Sequence, residues 1–341
     1  MNPIKQAGFT LIELMIALAL GLVIVAAATM LFLTSSRSQA LQQGQASLQD
    51  DANFGLNYIV KDIRLGNLNT VQSSINDLTT YGGVVFRSSS NSVEVSGVKR
   101  ANLPISLDGN SVSQTLLSRS HGLSVGTAPQ WTGVSNVQGE ASDQLTIQFV
   151  PQYILDHKNT ATEADDVWYG GSDCEGNELE FTLAEGRHVV VQRYFLRADT
   201  NNSTSEPNSP LALACDAGHY PLDGSPTEIE GLGGAGEIII KRADQFRVLY
   251  SIQSGANHRY VDAAAYMAMD PRPRILAVQL GVLVRSNQTV GGGADFKDDQ
   301  TFRVLDQDVT VITPTASAPK YARQVVTQTV SLRNTFGERG Q

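Results

Sequence analysis

Residues 9 to 33 constrain this chain more than any other stretch. From Phe9 to Leu33 every residue is apolar or small and neutral except Glu13, and the only charged side chain before it is Lys5. At ~1.5 Å of rise per residue such a run makes roughly 37 Å of helix, enough to cross a hydrocarbon core of ~30 Å with some tilt. A cleaved secretory signal is the competing reading, because Ala26-Ala27-Ala28 offers a small-residue site. Against it, the apolar run continues through Met30, Leu31, Phe32 and Leu33, and the basic end holds only Lys5 and the amino terminus.

Glu13 carries the second constraint. A lone carboxylate inside a membrane segment is costly and is normally paired. If the chain is cut between Gly8 and Phe9, a new ammonium appears four residues before Glu13, on the same helical face. The cut thus creates the carboxylate's counter-charge, on its own chain or on a neighbour, and a neighbour's amine would set the register in a bundle of identical helix ends. Such a layout points to assembly rather than turnover.

Gly8-Phe9-Thr10-Leu11-Ile12-Glu13-Leu14 resembles the class III leader of type IV pilins and type II secretion pseudopilins. The resemblance implies that a prepilin peptidase cuts after Gly8 and methylates the amine of Phe9, and that Phe9 and Glu13 serve subunit docking. It implies an α+β, type IV pilin-like fold, with a long N-terminal helix packed on antiparallel sheet and elaborated loops. The expected division is a leader over 1–8, a transmembrane or filament-core helix over 9–33, its amphipathic continuation over 34–66, and a periplasmic β-rich head over 67–341. Thr29, Met30 and Leu31 stand where major pilins commonly carry a helix-breaking proline, so a straighter membrane helix is expected.

After the polar step Thr34-Ser35-Ser36-Arg37-Ser38, apolar residues return at Leu41, Leu48, Ala52, Leu56, Ile59 and Ile63, one stripe of a helix. Arg37 is placed to snorkel to head groups. The helix is expected to run from Phe9 to Leu65, with Gly66 as a left-handed cap.

Beyond Gly66 the pattern changes to period two. Val84–Phe86, Val93–Val95 and Leu145–Phe149 read as short strands; His188–Leu196, Gln245–Ile252, Ile275–Val284 and Arg323–Leu332 read as longer half-buried antiparallel strands. Residues 198–210 and 291–299 are poor in apolar residues and read as mobile or partner-ordered loops.

The 341 residues leave roughly 280 beyond the anchor, ample for a core in one elaborated domain or two small ones. The formal charge of −9 becomes one unit more negative when Lys5 leaves with the leader, which argues against nucleic-acid binding by bulk electrostatics. Cys174 and Cys215, both in loop-like sequence, are expected to pair in an oxidising compartment. Closing that loop of about 42 residues contributes roughly 4 kcal/mol on the chain-entropy model.

No constellation for catalysis, cofactor or metal emerges. Gly231-Leu232-Gly233-Gly234-Ala235-Gly236 matches G-x-G-x-x-G literally, but a turn sequence precedes it and the strand-like Glu237–Ile240 comes after, the reverse of a dinucleotide site; it reads as a flexible turn. Asp165 and Asp166 with Asp173, and Asp295 with Asp298 and Asp299, lack the spacing of a calcium loop. His188 and His219 lack zinc-ligand companions.

The segments Ile275–Ser286 (ILAVQLGVLVRS) and Arg323–Asn334 (RQVVTQTVSLRN) resemble the minor pilins of the PilW kind. That resemblance implies a structural subunit at an initiation or tip complex, with other minor pilins, the major pilin, the inner-membrane assembly platform and the large pilus-associated adhesin as partners. It implies an inner-membrane location with a periplasmic head in a Gram-negative bacterium, and roles in motility, adhesion or DNA uptake. The alternative is a type II secretion minor pseudopilin of the J kind, which tends to be shorter. Arg333 and Asn334 by themselves read as a polar strand end.

Overall fold

The computed structural model describes residues 8–70, 72, 74–107, 112–124, 130–158, 165–201, 206, 208–289, 300–312 and 320–335. Helix α1 (Leu11–Ile63) runs uninterrupted for 53 residues, roughly 80 Å at the rise of an α-helix. No proline occurs between Pro3 and Pro104 to stop it. It starts two residues later than expected because Thr10, in extended conformation (φ −78°, ψ 151°), caps it.

Its other end also differs from expectation. The helix closes at Ile63 and Arg64, the left-handed residue is Asn67 (φ 65°), and Gly66 keeps a negative φ. Asparagine tolerates that conformation, and its side chain is needed there. Asn67 Nδ2 donates to Gln72 O at 2.9 Å and to Asn334 O at 3.1 Å, while its Oδ1 accepts from Gly83 N at 3.1 Å.

The strands are β1 (Val93–Val95), β2 (Val98–Arg100), β3 (Leu145–Phe149), β4 (Ile154–Asp156), β5 (Val167–Ser172), β6 (Glu178–Thr182), β7 (His188–Ala198), β8 (Leu211–Pro221), β9 (Glu237–Lys241), β10 (Ala243–Ser254), β11 (Asn257–Val261), β12 (Arg274–Arg285), β13 (Thr301–Val304), β14 (Gln307–Thr310) and β15 (Arg323–Ser331). A short helix α2 (Ala263–Met267) comes after β11. Two four-stranded sheets, β3-β7-β8-β9 and β11-β10-β12-β15, form the head, with a three-stranded sheet β4-β5-β6 and two hairpins, β1-β2 and β13-β14; every pairing is antiparallel.

One apolar cluster joins the stripe of α1 (Leu48, Ala52, Leu56, Ile59, Ile63) to Tyr194, Leu196, Leu213 and Ile240 of the first sheet. It continues into Phe246, Val248, Tyr250, Ile252, Val278, Leu280, Val282, Val326 and Val330 of the second. The alternation in β10, β12 and β15 therefore points the expected face inward. At Gly55 the helix touches β9 so closely that a Cβ would stand 2.3 Å from Ile240 Cγ1, which gives a helix-weakening glycine its packing reason.

Three expectations fail in the head. Val84–Phe86 forms a single bridge, Val84 to Ile147, rather than a strand. His188–Leu196, expected to be half-buried, is covered on both faces within β7, as is its neighbour β8, for which no strand was expected. Val189, Val191 and Tyr220 face a second cluster with Val85, Leu103, Leu107, Val112 and Leu117, because the long segment before β3 folds back over the sheet. And Cys215 lies inside β8, not in a loop. The string LALACDAGHYP, with three Ala, one Gly and one Asp, reads poorly as a strand, but between β7 and β9 its backbone has partners on both edges.

Candidate assembly site at the head of the helix

Gly8, Phe9 and Thr10 precede the helix as exposed chain without regular structure, so the Gly8–Phe9 bond lies outside the helical hydrogen-bond ladder. Thr10 and Glu13 form a reciprocal capping box. Glu13 Oε2 accepts from Thr10 N and from Thr10 Oγ1, each at 3.0 Å, and Thr10 Oγ1 accepts from Glu13 N at 3.3 Å. The box turns the carboxylate back toward the N-terminus, where the macrodipole favours an anion. Both contacts fall on Oε2, so Oε1 can receive a further donor.

Around this carboxylate the apolar side chains have no cover. Phe9 is 89% exposed, Leu11 80%, and Met30 and Leu31 still above 70%. α1 has the length and composition to cross a membrane, and its apolar window is 0% buried. Contact with the head begins near Ala40 and Gly44.

The other residues singled out from the sequence lie far from this site. Cys174, in the turn after β5, is bonded to Cys215 of β8 with Cα atoms 6.1 Å apart. Asp173 Oδ1 accepts from Glu175 N and Asn177 N, both at 2.9 Å, Glu175 Oε2 accepts from Ala217 N at 3.0 Å, and Tyr58 of α1 donates to Cys174 O at 3.2 Å. The disulfide thus ties the three-stranded sheet, β8 and the helix at one point.

The glycine-rich turn is pinned rather than flexible. Gly233 N and Gly234 N donate to Asp216 at 3.0 and 2.9 Å, and Arg193 pairs with the same carboxylate at 2.9 Å. The anion that these backbone amides cradle is the chain's own. Asp166 pairs with His157 at 2.8 Å and Asp173 is engaged in its turn. Among the described residues no group of three His, Cys, Asp or Glu is placed to hold a metal. Asp295, Asp298 and Asp299, with all of 291–299, lie outside the described residues, as do 202–205 and 207 of the other loop.

Sequence reading missed the work of the two C-terminal segments. Asn334 Nδ2 donates to Arg64 O at 3.1 Å and Gly66 O at 3.0 Å, capping the carbonyl end of α1. Arg285, fully buried at the end of β12, pairs with Glu206 and lies 3.8 Å from Asp244, which Arg323 reaches at 2.8 Å. Ser286 N donates to Ala322 O at 2.8 Å, and Ala322 N donates back to Ser286 Oγ at 3.1 Å. The sequence signal was a run of arginines and an asparagine at strand ends, without any indication of their partners.

A head of antiparallel sheets carried on one long N-terminal helix, whose first half is apolar and bare, is a type IV pilin-like α+β fold. The comparisons with known proteins agree at both ends of the chain. The prokaryotic N-terminal methylation motif matches residues 4–29, and the family described as type IV pilus-assembly protein W, PilW, matches residues 193–334, from β7 to the Asn334 cap. The chain is thus similar to the PilW family over its C-terminal part and to the methylated leader motif at its start. No curated protein matches it. Among solved structures it is similar to a type IV-like pilin from Thermus thermophilus, at 13% identity over 85% of this chain and 98% of that one, with a TM-score of 0.31, a superposition too loose to carry an argument.

Proposed function

We propose that this chain is a minor pilin that takes part in the assembly or initiation of a type IV pilus, at a tip complex with other minor pilins and the major pilin. Residues 9–33 anchor it in the inner membrane with the head in the periplasm. Prepilin peptidase cuts the exposed Gly8–Phe9 bond and methylates the new amine, and the assembly platform draws the helix into the filament. The observation that carries this reading is Glu13. It is the single charge in the bare apolar stretch from Phe9 to Leu33, already turned toward the N-terminus by Thr10, with one oxygen left for the cationic amine of a neighbouring subunit.

The bulk of the head supports a place at the tip, where few neighbours must accommodate it; there it would sit beside the large pilus-associated adhesin and serve motility, adhesion or DNA uptake. The PilW match over 193–334 favours a pilus over a secretion pseudopilus. The test is Glu13→Ala in the full chain. Membrane insertion is expected to persist while co-isolation with the other minor pilins and piliation fall; unaltered co-assembly would remove the docking role. Processing is read by mass, since Gly8→Trp should leave the longer, uncut chain.

A further inference from the structure

Asp62 is the carboxylate on the buried face of α1, in its last turn, where the macrodipole disfavours an anion. Tyr194 Oη of β7 lies 2.9 Å from Asp62 Oδ2 and 3.0 Å from Gln192 Oε1. A phenol has one proton, so an ionised Asp62 and Gln192 Oε1 compete for it and one acceptor goes unserved. A protonated Asp62 removes the conflict, because its own O–H donates to Tyr194 and Tyr194 donates to Gln192. The groups facing the carboxylate are Lys61 and Tyr58 of α1, Tyr194 and Gln192 of β7, and Asp173 in the turn after β5. Lys61 favours the anion and Asp173 opposes it.

We propose that Asp62 is a proton-operated clasp between the stalk helix and the head. Neutral, it closes a hydrogen-bond relay from α1 through Tyr194 to Gln192. Ionised, it breaks the relay and leaves a charge under the helix–sheet joint, beside the point where the disulfide and Tyr58 tie the same elements together.

Burial is the largest cause of a shift that pushes the carboxyl up from 3.8 to about 6, against the opposing hydrogen bond from Tyr194. A group whose folded value is raised contributes stability that is fully present below its unfolded value. That contribution is lost as pH rises toward the folded one, so stability falls between about pH 4 and 6 and the clasp itself opens as Asp62 ionises near pH 6.

The test is Asp62→Asn in the full chain in detergent, unfolded at a series of pH values from 4 to 7.5. The amide donates at every pH, so wild type and variant should have the same pH dependence below about pH 4 and above about pH 6, and diverge between them. Above pH 6 the unfolding constant of wild type should have risen relative to the variant by up to about 100-fold, the equivalent of a two-unit displacement. A wild-type-to-variant ratio that stays flat across this range overturns the proposal. Should the variant fail to fold, the carboxyl titration of Asp62 in the wild-type chain, followed by NMR, decides instead: a midpoint near 6 sustains the clasp, and one at 4 or below ends it.

Discussion

The stalk half of α1 and the head it carries satisfy their polar groups in opposite ways. Up to about Ser38 the helix keeps every hydrogen bond local: the ladder itself, the Thr10–Glu13 box, and Thr29 and Thr34 each bonding to the carbonyl four residues back. Its apolar side chains are the unsatisfied groups. In the head most large apolar residues are covered and the buried charges depend on partners far away in sequence, as when Arg247 of β10, 2% exposed at its side chain, reaches Asp143, Asp262 and Asp306. A region built from local bonds stays intact when its environment changes from lipid to protein. A region built from distant pairs holds one shape and keeps it.

The sharpest way to break that contrast is Arg247→Ala. It leaves Asp143, which is fully buried, without its cation, and removing one member of a buried pair costs about 3–5 kcal/mol; a large fall in the melting temperature of the head is expected, with the helical signal of the stalk retained in circular dichroism. Next in size is the double change Cys174→Ser with Cys215→Ser. Opening a bridge of sequence separation 41 removes roughly 4 kcal/mol at most on the chain-entropy model, and less where the reduced chain keeps residual structure; denaturant midpoints of the two forms measure it.

A smaller loss, about 1–3 kcal/mol, is expected for Gly55→Val, because its first side-chain atom would meet Ile240 at 2.3 Å and push helix and strand apart. Asn334→Ala removes a cap on two carbonyls of the α1 terminus and should cost about 1 kcal/mol, read as faster hydrogen exchange near Arg64. Glu13→Ala should leave the melting temperature of the head unmoved, whatever it does to assembly. A head destabilised by Glu13→Ala would show that stalk and head are not separate in the way their bonding suggests.

The parts legible in the sequence were those whose signal is local and repeated. The bare apolar run, the buried stripe from Leu48 to Ile63 and the alternation of β10, β12 and β15 all fell where periodicity placed them, because a period of 3.6 or 2 carries its own geometry. The leader motif was legible as one contiguous string, but the Thr10–Glu13 box inside it was not read, although the two residues are only three apart. The two cysteines are paired as expected while the local structure of one differs, since Cys215 lies in a strand whose three Ala, one Gly and one Asp have little preference for one.

The sequence by itself determined the long helix, the point where it turns from bare to buried, and the antiparallel character of the strands beyond it. Tertiary structure decided the rest. It chose Asn67 over Gly66 for the left-handed position, because only a side chain could also bind Gln72, Gly83 and Asn334. It covered both faces of β7 and β8 with a segment that carries little regular structure. It brought Asn334 to the end of a helix 270 residues earlier and gathered Arg285, Arg323, Asp244 and Glu206 into one buried group. A periodic pattern states which face of an element is apolar, but a buried charge states only that it needs a partner, and which partner it finds is settled when the elements pack.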